Sequence, residues 1–260
     1  MAFLPSSTRL AAIIALCCSA TAMPALSAQL IQNGGFESGF SSWTRVDQLG
    51  SEGTFFIQTG TSSPNPINGD PTPAPTEGNI AAMTDSAGPG SHVLYQDFFV
   101  SSANGFLSFD LFIGNRAGLF DSPPDGSLAF DLTSQVGANT FNQQARVDIL
   151  KASADPFSVS GGDVLLNLFA TAVDDSPISG YNSYSFNLDS VFSAYLGETL
   201  RLRFAETDNL GPFQLGVDNV SLDTPVSVPE PGSIALLGLG FVAFWYGCHV
   251  QLKNKTYRSS

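Results

Sequence analysis

Glu198-Thr199-Leu200-Arg201-Leu202-Arg203-Phe204-Ala205-Glu206 alternates with a period of two: Leu200, Leu202 and Phe204 point one way, Arg201 and Arg203 the other. Successive side chains of a strand project to opposite faces of a pleated sheet, so this stretch reads as a half-buried β-strand. A second stretch obeys the same rule, with Leu107, Phe109, Leu111 and Ile113 on one face and Ser108 and Asp110 on the other. Working outward, strands are expected at 53–59, 92–100, 146–152, 163–170 and 184–192, separated by Gly, Pro, Asn, Asp and Ser. Two stretches read as surface loops: 62–78, dense in proline, and 114–127, which contains Pro123-Pro124-Asp125-Gly126. No long window away from the two ends has a helical period, and no internal repeat is visible. About ten short strands at this spacing predict an all-β chain, folded as a two-sheet sandwich or jelly roll.

Charge narrows the range of partners. The chain has 10 basic and 23 acidic residues. Setting aside Arg9, Glu230, Lys253, Lys255 and Arg258 leaves 6 against 22 in the body, a net charge of −16. Nucleic acid requires a basic footprint, and anionic lipid surfaces attract basic segments, so both are excluded as partners of the body. Acidity serves solubility outside a cell, or cation binding, and does not by itself choose between them.

The ends are of different character. Arg9 precedes an apolar run from Leu10 to Ala22, and small residues follow through Ala28. That order is a secretory signal peptide, residues 1–28, engaging the Sec export machinery. Cleavage after Ala28 or after Ala22 fits the small-residue rule. Leu16 stands where a lipobox wants a small residue, so Cys17 and Cys18 do not mark a lipoprotein. The remaining cysteine, Cys248, lies in the C-terminal apolar run, so the body, residues 29–225, has none and gains nothing from disulfides.

At the other end Val228-Pro229-Glu230-Pro231 introduces an apolar segment, followed by Lys253, Lys255 and Arg258. As a helix, 234–250 would span roughly 25 Å at about 1.5 Å per residue, short of the roughly 30 Å of a bilayer core. A transmembrane segment at about 233–250 is therefore a marginal anchor. Basic residues beyond it hold that end in the cytoplasm and leave the body outside. This segment resembles the PEP-CTERM sorting signal of Gram-negative bacteria, over residues 226–255 and most specifically at Val228, Pro229, Glu230 and Pro231. It departs from the usual pattern in replacing a tight arginine cluster with spaced basic residues. The resemblance implies recognition by an exosortase, removal of the tail, transient anchoring in the inner membrane, and delivery to the cell surface or an exopolysaccharide matrix.

The body carries a second resemblance. Asn33-Gly34-Gly35-Phe36-Glu37-Ser38-Gly39 followed by Trp43, and Gly216-Val217-Asp218-Asn219-Val220-Ser221-Leu222 near its end, are similar to the opening and closing strands of carbohydrate-binding-module jelly rolls. In such folds an acidic residue from each of these strands helps hold a structural calcium, which implies Glu37 and Asp218 here. Leu215 and Val217 share one parity and Val220 and Leu222 the other, so a bulge is expected near Asp218-Asn219, with Asp218 turned toward the core. An inward carboxylate needs a partner. Calcium serves, as do Arg201, Arg203 or a turn of backbone amides.

Three function classes follow: a non-catalytic surface or matrix protein associated with exopolysaccharide and biofilm, a glycan-binding module, and a glycoside-active enzyme. For glycan stacking the candidates are Tyr181 and Tyr184 in Ile178-Ser179-Gly180-Tyr181-Asn182-Ser183-Tyr184, placed in or near a loop; Trp43 is expected to pack beneath the first strands. Catalysis has the least support. No GxSxG elbow surrounds a serine, Asp174 and Asp175 are adjacent and expected to diverge rather than face each other across a cleft, and His92 is the lone histidine of the body, without partners for a histidine-based metal centre.

Overall fold

The computed structural model describes residues 27–64, 70–86, 88–131 and 140–225. Residues 1–26 of the expected signal peptide, the Val228–Pro231 motif and the span at about 233–250 lie outside the described residues, whereas Ser27 and Ala28 are described. Among those residues no helix is long and apolar enough to cross a membrane.

Among the described residues, eleven antiparallel strands form two sheets. The first has the order β3 (Thr54–Thr59), β4 (Ile80–Asp85), β11 (Phe213–Pro225), β6 (Phe106–Asn115), β9 (Asn182–Asn187), and β1 (Ser27–Gln29) also pairs with β11. The second has the order β2 (Thr44–Asp47), β5 (Gly90–Phe99), β10 (Thr199–Asp208), β7 (Gln143–Lys151), β8 (Val164–Ala170). The all-β sandwich is the architecture that the alternation predicts. Strand β10 is central in its sheet. Its inward residues Leu200, Leu202 and Phe204 are fully buried against Phe109, Leu111, Leu215 and Val217 of the facing sheet. Phe204 meets Phe109 edge-on at 5.4 Å, an arrangement in which a positive ring edge faces a negative ring face.

The strand reading needs correction in places. The stretch 184–192 is not one strand: β9 ends at Asn187, and α1 (Asp189–Ala194) follows. Asn187 Oδ1 accepts the Asp189 N–H at 2.8 Å, and Asp189 Oδ1 accepts the Gly105 N–H at 3.1 Å, so local polar bonds turn the chain while Val191 and Phe192 continue into the core. Strands β2 and β4 escape a periodicity reading because they are short, and β4 (Ile-Ala-Ala-Met-Thr-Asp) is covered on both faces and does not alternate. Finally, Arg201 and Arg203 do not reach solvent. The segment 152–163 crosses their face of the sheet and supplies carbonyl acceptors from Ala154, Pro156 and Ser158. Arg201 also stacks over the Tyr95 ring at 3.8 Å and pairs with Asp97 at 2.7 Å.

Strand β11 bends where its parity changes. Pairing with β6 shifts between Asp218 and Ser221, and Asn219 adopts φ 51°, leaving one extra residue on β11. Leu215 and Val217 stay inward before the bulge, Val220 and Leu222 after it. Asp218 therefore faces outward beside its cross-strand partner Asp110, not toward the core as the parity argument placed it. It is nevertheless fully buried, because residues 70–80 lie over it.

Candidate functional site

The first and last parts of the body meet at one junction. Val220 N–H donates to Gly34 O at 3.1 Å, and a Cβ at Gly34 would stand 1.8 Å from Val220 O, so the close approach requires glycine. Asn33 and Phe36 have φ of 54° and 58°, and Asn33 ties its turn by donating from Nδ2 to Gly39 O at 2.8 Å and Ser41 O at 3.0 Å. Trp43 donates from Nε1 to Asn33 O at 2.9 Å and packs on Phe36 at 5.2 Å, beneath the first strands as expected.

Glu37 and Asp218 both come to this junction and hold the same loop from its two ends. Asp218 Oδ2 accepts the N–H groups of Thr76 and Glu77 at 2.6 and 2.9 Å, and Oδ1 accepts Asn219 N–H at 2.8 Å. Glu37 Oε1 accepts the N–H groups of Asn79 and Ile80 at 2.7 and 2.9 Å. Of the partners considered for Asp218, a turn of backbone amides is the one present. Burial pushes its carboxyl above the ordinary value, and those amides act against the shift. Asp110 joins from β6: its Oδ2 accepts the Thr76 hydroxyl at 2.7 Å, and it also takes Asn219 Nδ2 at 3.2 Å. A groove of about 440 Å³ opens alongside, bordered by Gly34, Gly35, Glu37, Glu77 and Asn219. Amide donors thus point at both oxygens of Asp218 and at Oε1 of Glu37.

Tyr181 and Tyr184 do not form one aromatic platform. Tyr181 precedes β9; its ring packs on Phe112 at 5.9 Å, its hydroxyl donates to Gln58 Oε1 at 3.4 Å, and burial with the charges of Asp218 and Asp110 pushes its pKa up. Tyr184 lies within β9, stacked on Phe109 at 5.6 Å and edge-on to Phe169 at 5.3 Å. Both rings are spent largely on packing. Asp175 caps a turn by accepting Ala172 N–H at 2.7 Å, a local structural bond. A shallow groove of about 720 Å³ does open elsewhere, along β2, where Phe40, Trp43, Arg45 and Thr54 line it. Arg45 lies over the Phe40 ring at 4.3 Å and donates to Phe55 O at 2.8 Å, which fixes its side chain at the groove.

His92, the lone histidine of the body, has two buried acidic neighbours. It lies beside Glu206 in the β5–β10 register, and Asp208 follows two residues along. Their ligand atoms all lie within 4.8 Å of one another. Burial raises Glu206 well above its ordinary value, with Asp208 adding to the rise, and pushes Asp208 to about 8. The signal was present: Glu206 and Asp208 continue the parity of Leu200, Leu202 and Phe204, so both carboxylates point between the sheets.

Residues 227–248 match the PEP-CTERM protein-sorting motif. No curated protein matches the chain. Solved structures resemble this chain at low identity. A carbohydrate-binding module, TmCBM61, bound to β-1,4-galactotriose is 13% identical, with 75% of this chain and 97% of that one covered and a TM-score of 0.43. The K3 cleaved adhesin domain of Lys-gingipain from Porphyromonas gingivalis is 16% identical, with 76% and 100% covered and a TM-score of 0.45. A Stig cyclase from Fischerella sp. is 17% identical, with 78% and 100% covered and a TM-score of 0.44. The sorting motif implies export, membrane-anchored sorting in a Gram-negative bacterium and processing by an exosortase.

Proposed function

We propose that this chain is an exported, non-catalytic surface or matrix protein, delivered by exosortase processing of its tail and associated with exopolysaccharide. The observation that carries the reading is the PEP-CTERM motif at 227–248, immediately beyond β11. Strand β11 ends at Pro225, so cutting within the motif leaves every pairing of the sandwich intact, including that of Pro225 with Ser27. The tail acts as an address and the acidic sandwich as the cargo. Replacing Pro229, Glu230 and Pro231 by alanine tests this in producing cells. The variant is expected to accumulate in the cell envelope while the parent reaches the surface or matrix; an identical distribution of the two would refute the reading.

Glycan binding is a second reading, favoured by the groove along β2, where a fixed guanidinium and an aromatic ring stand beside polar groups. Guanidinium donors and ring faces are what a sugar's hydroxyls and apolar C–H patches require. Polysaccharide pull-down should then weaken with Arg45→Ala, and Tyr181→Phe should leave it unchanged. Retention by no member of a broad polysaccharide panel would sink this reading.

For Glu37 and Asp218 we propose a structural role through amides rather than through calcium. Calcium would draw six to eight oxygens into its shell, whereas the oxygens here already receive N–H donors. Adding Ca²⁺ to metal-free protein should leave the melting midpoint unchanged; a rise abolished by Glu37→Gln would establish calcium instead.

A further inference from the structure

At one margin of the space between the two sheets, three adjacent strands set a row of polar side chains: His92 and Glu206 are buried where apolar residues are expected, and Asp47 is exposed at the edge. Asp47 on β2 is the register partner of His92 on β5, and His92 is the partner of Glu206 on β10. The row continues the core faces, since Leu94 and Phe98 share parity with His92 and Leu202 and Phe204 share it with Glu206. An apolar interior penalises such groups unless something answers their charge.

The ring of His92 is oriented for ligation. Its Nδ1 lies 2.7 Å from Asp47 Oδ1, and a carboxylate acceptor there places the proton on Nδ1 and leaves the Nε2 lone pair free. Nε2 points toward Gly90, where a Cβ would stand 2.3 Å from it, so only glycine leaves room for the ring. The Gly90 N–H in turn donates to Asp208 Oδ1 at 2.9 Å, fixing that carboxylate beside the imidazole. Glu206 supplies the independent sign of a missing partner. It is 1% exposed and takes a hydrogen bond from Thr84, but among the described residues its Oε1 accepts none. A buried polar oxygen without a partner calls for an explanation, and a cation at this position supplies one.

We propose that His92 Nε2, Glu206 and Asp208 form a three-ligand site for a divalent transition ion of the zinc class, with Asp47 as the second-sphere acceptor that orients the imidazole. The ligand set selects the ion. Imidazole nitrogen with carboxylate oxygens suits zinc, whereas calcium and magnesium take oxygen shells. Two carboxylates and a neutral imidazole carry a charge of −2, which one dication neutralises in an interior that tolerates no net charge. Ligand atoms bound at about 2.1 Å to one ion lie no more than about 4.2 Å apart, and here they already lie within 4.8 Å of one another, so a small inward turn of the side chains closes the site. The ion would tie β5 to β10 inside a body that has no disulfide to do so.

The test uses the full chain, purified and stripped of metal, with Zn²⁺ or Co²⁺ alone as the probe. One equivalent of either should bind, Co²⁺ should acquire visible d–d absorption, and Zn²⁺ should raise the melting midpoint. His92→Ala should abolish all three effects. Asp47→Asn, which keeps every ligand, should weaken affinity by about 10–100-fold, and this variant decides the matter if His92→Ala does not fold. Absence of stoichiometric Zn²⁺ and Co²⁺ binding by the parent would overturn the proposal. So would parental affinity in His92→Ala or Asp47→Asn, or Ca²⁺ binding at the same site as tightly as Zn²⁺.

Discussion

Asp148 is fully buried between two guanidiniums. Arg203 donates to its Oδ2 from Nε at 3.2 Å, and Arg146 donates through Nε and Nη2 at 2.8 Å each. Burial pushes the carboxyl up, but the hydrogen bonds and charges of Arg146 and Arg203 outweigh it, so its pKa lies below the ordinary 3.8. Burial also works against the charge on Arg203, yet a guanidinium stays protonated in proteins, and the ion pair persists. A depressed carboxylate pKa contributes stability above the unfolded value and loses it as pH falls through the folded one. Chemical denaturation should therefore show this contribution whole at neutral pH and declining below about 3.8. Asp148→Asn should cost about 3–5 kcal/mol at neutral pH and flatten that acid limb; an unchanged midpoint would contradict the assignment. At the junction, Asp218→Ala would strand the Thr76 and Glu77 amides and should cost about 1–3 kcal/mol, read by the same melts. Sequence reasoning found Glu37 and Asp218 because they lie in recognisable end segments. It missed the role of Asp148 and the burial of Arg203, because Arg203 lies far along the chain from Asp148 and from the segment 152–163 that covers it.

At the scale of elements, the bulge in β11 and the turn before β2 are one device. Asn219 takes the extra position, Val220 returns to the core, and Gly34 lets the two backbones touch. Gly34→Ala should destabilise by about 1–3 kcal/mol, because a backbone carbonyl cannot yield as a side chain does; a thermal melt equal to the parent would show that the contact relaxes freely. The longer strands β5, β6, β7 and β10 were legible from alternation, as was the bulge from its parity break. The direction of Asp218 was not. Parity reports a change of face but not which residue is the surplus one, and here that residue is Asn219. Strand β4 was hidden because a strand covered on both faces has no alternation to read, and α1 because Asn187 and Asp189 redirect an apolar run that looks continuous.

For the whole molecule, strand β1 bears on how the exported form begins. Ser27 and Ala28 pair with Pro225 and Thr224, so cleavage after Ala28 would remove two of the three residues of β1, whereas cleavage after Ala22 would keep them. N-terminal sequencing of the exported protein should find a start at Met23, and a chain beginning at Gln29 should melt lower than one beginning at Met23. Equal melting of the two would show that β1 contributes nothing measurable. The architecture was legible from strand count and turn composition, and the sorting motif from Pro229-Glu230-Pro231 and the tail behind it. What the body recognises was not, because the side chains that would show it are placed by contacts distant in sequence. The central claim is that this sandwich is cargo released from its sorting tail. The intact mass of the surface or matrix form, from a producing strain and from the same strain lacking its exosortase, tests it most directly. The account predicts a mass without the residues beyond Pro231 in the first strain and the tail retained in the second; the tail retained in both would contradict it.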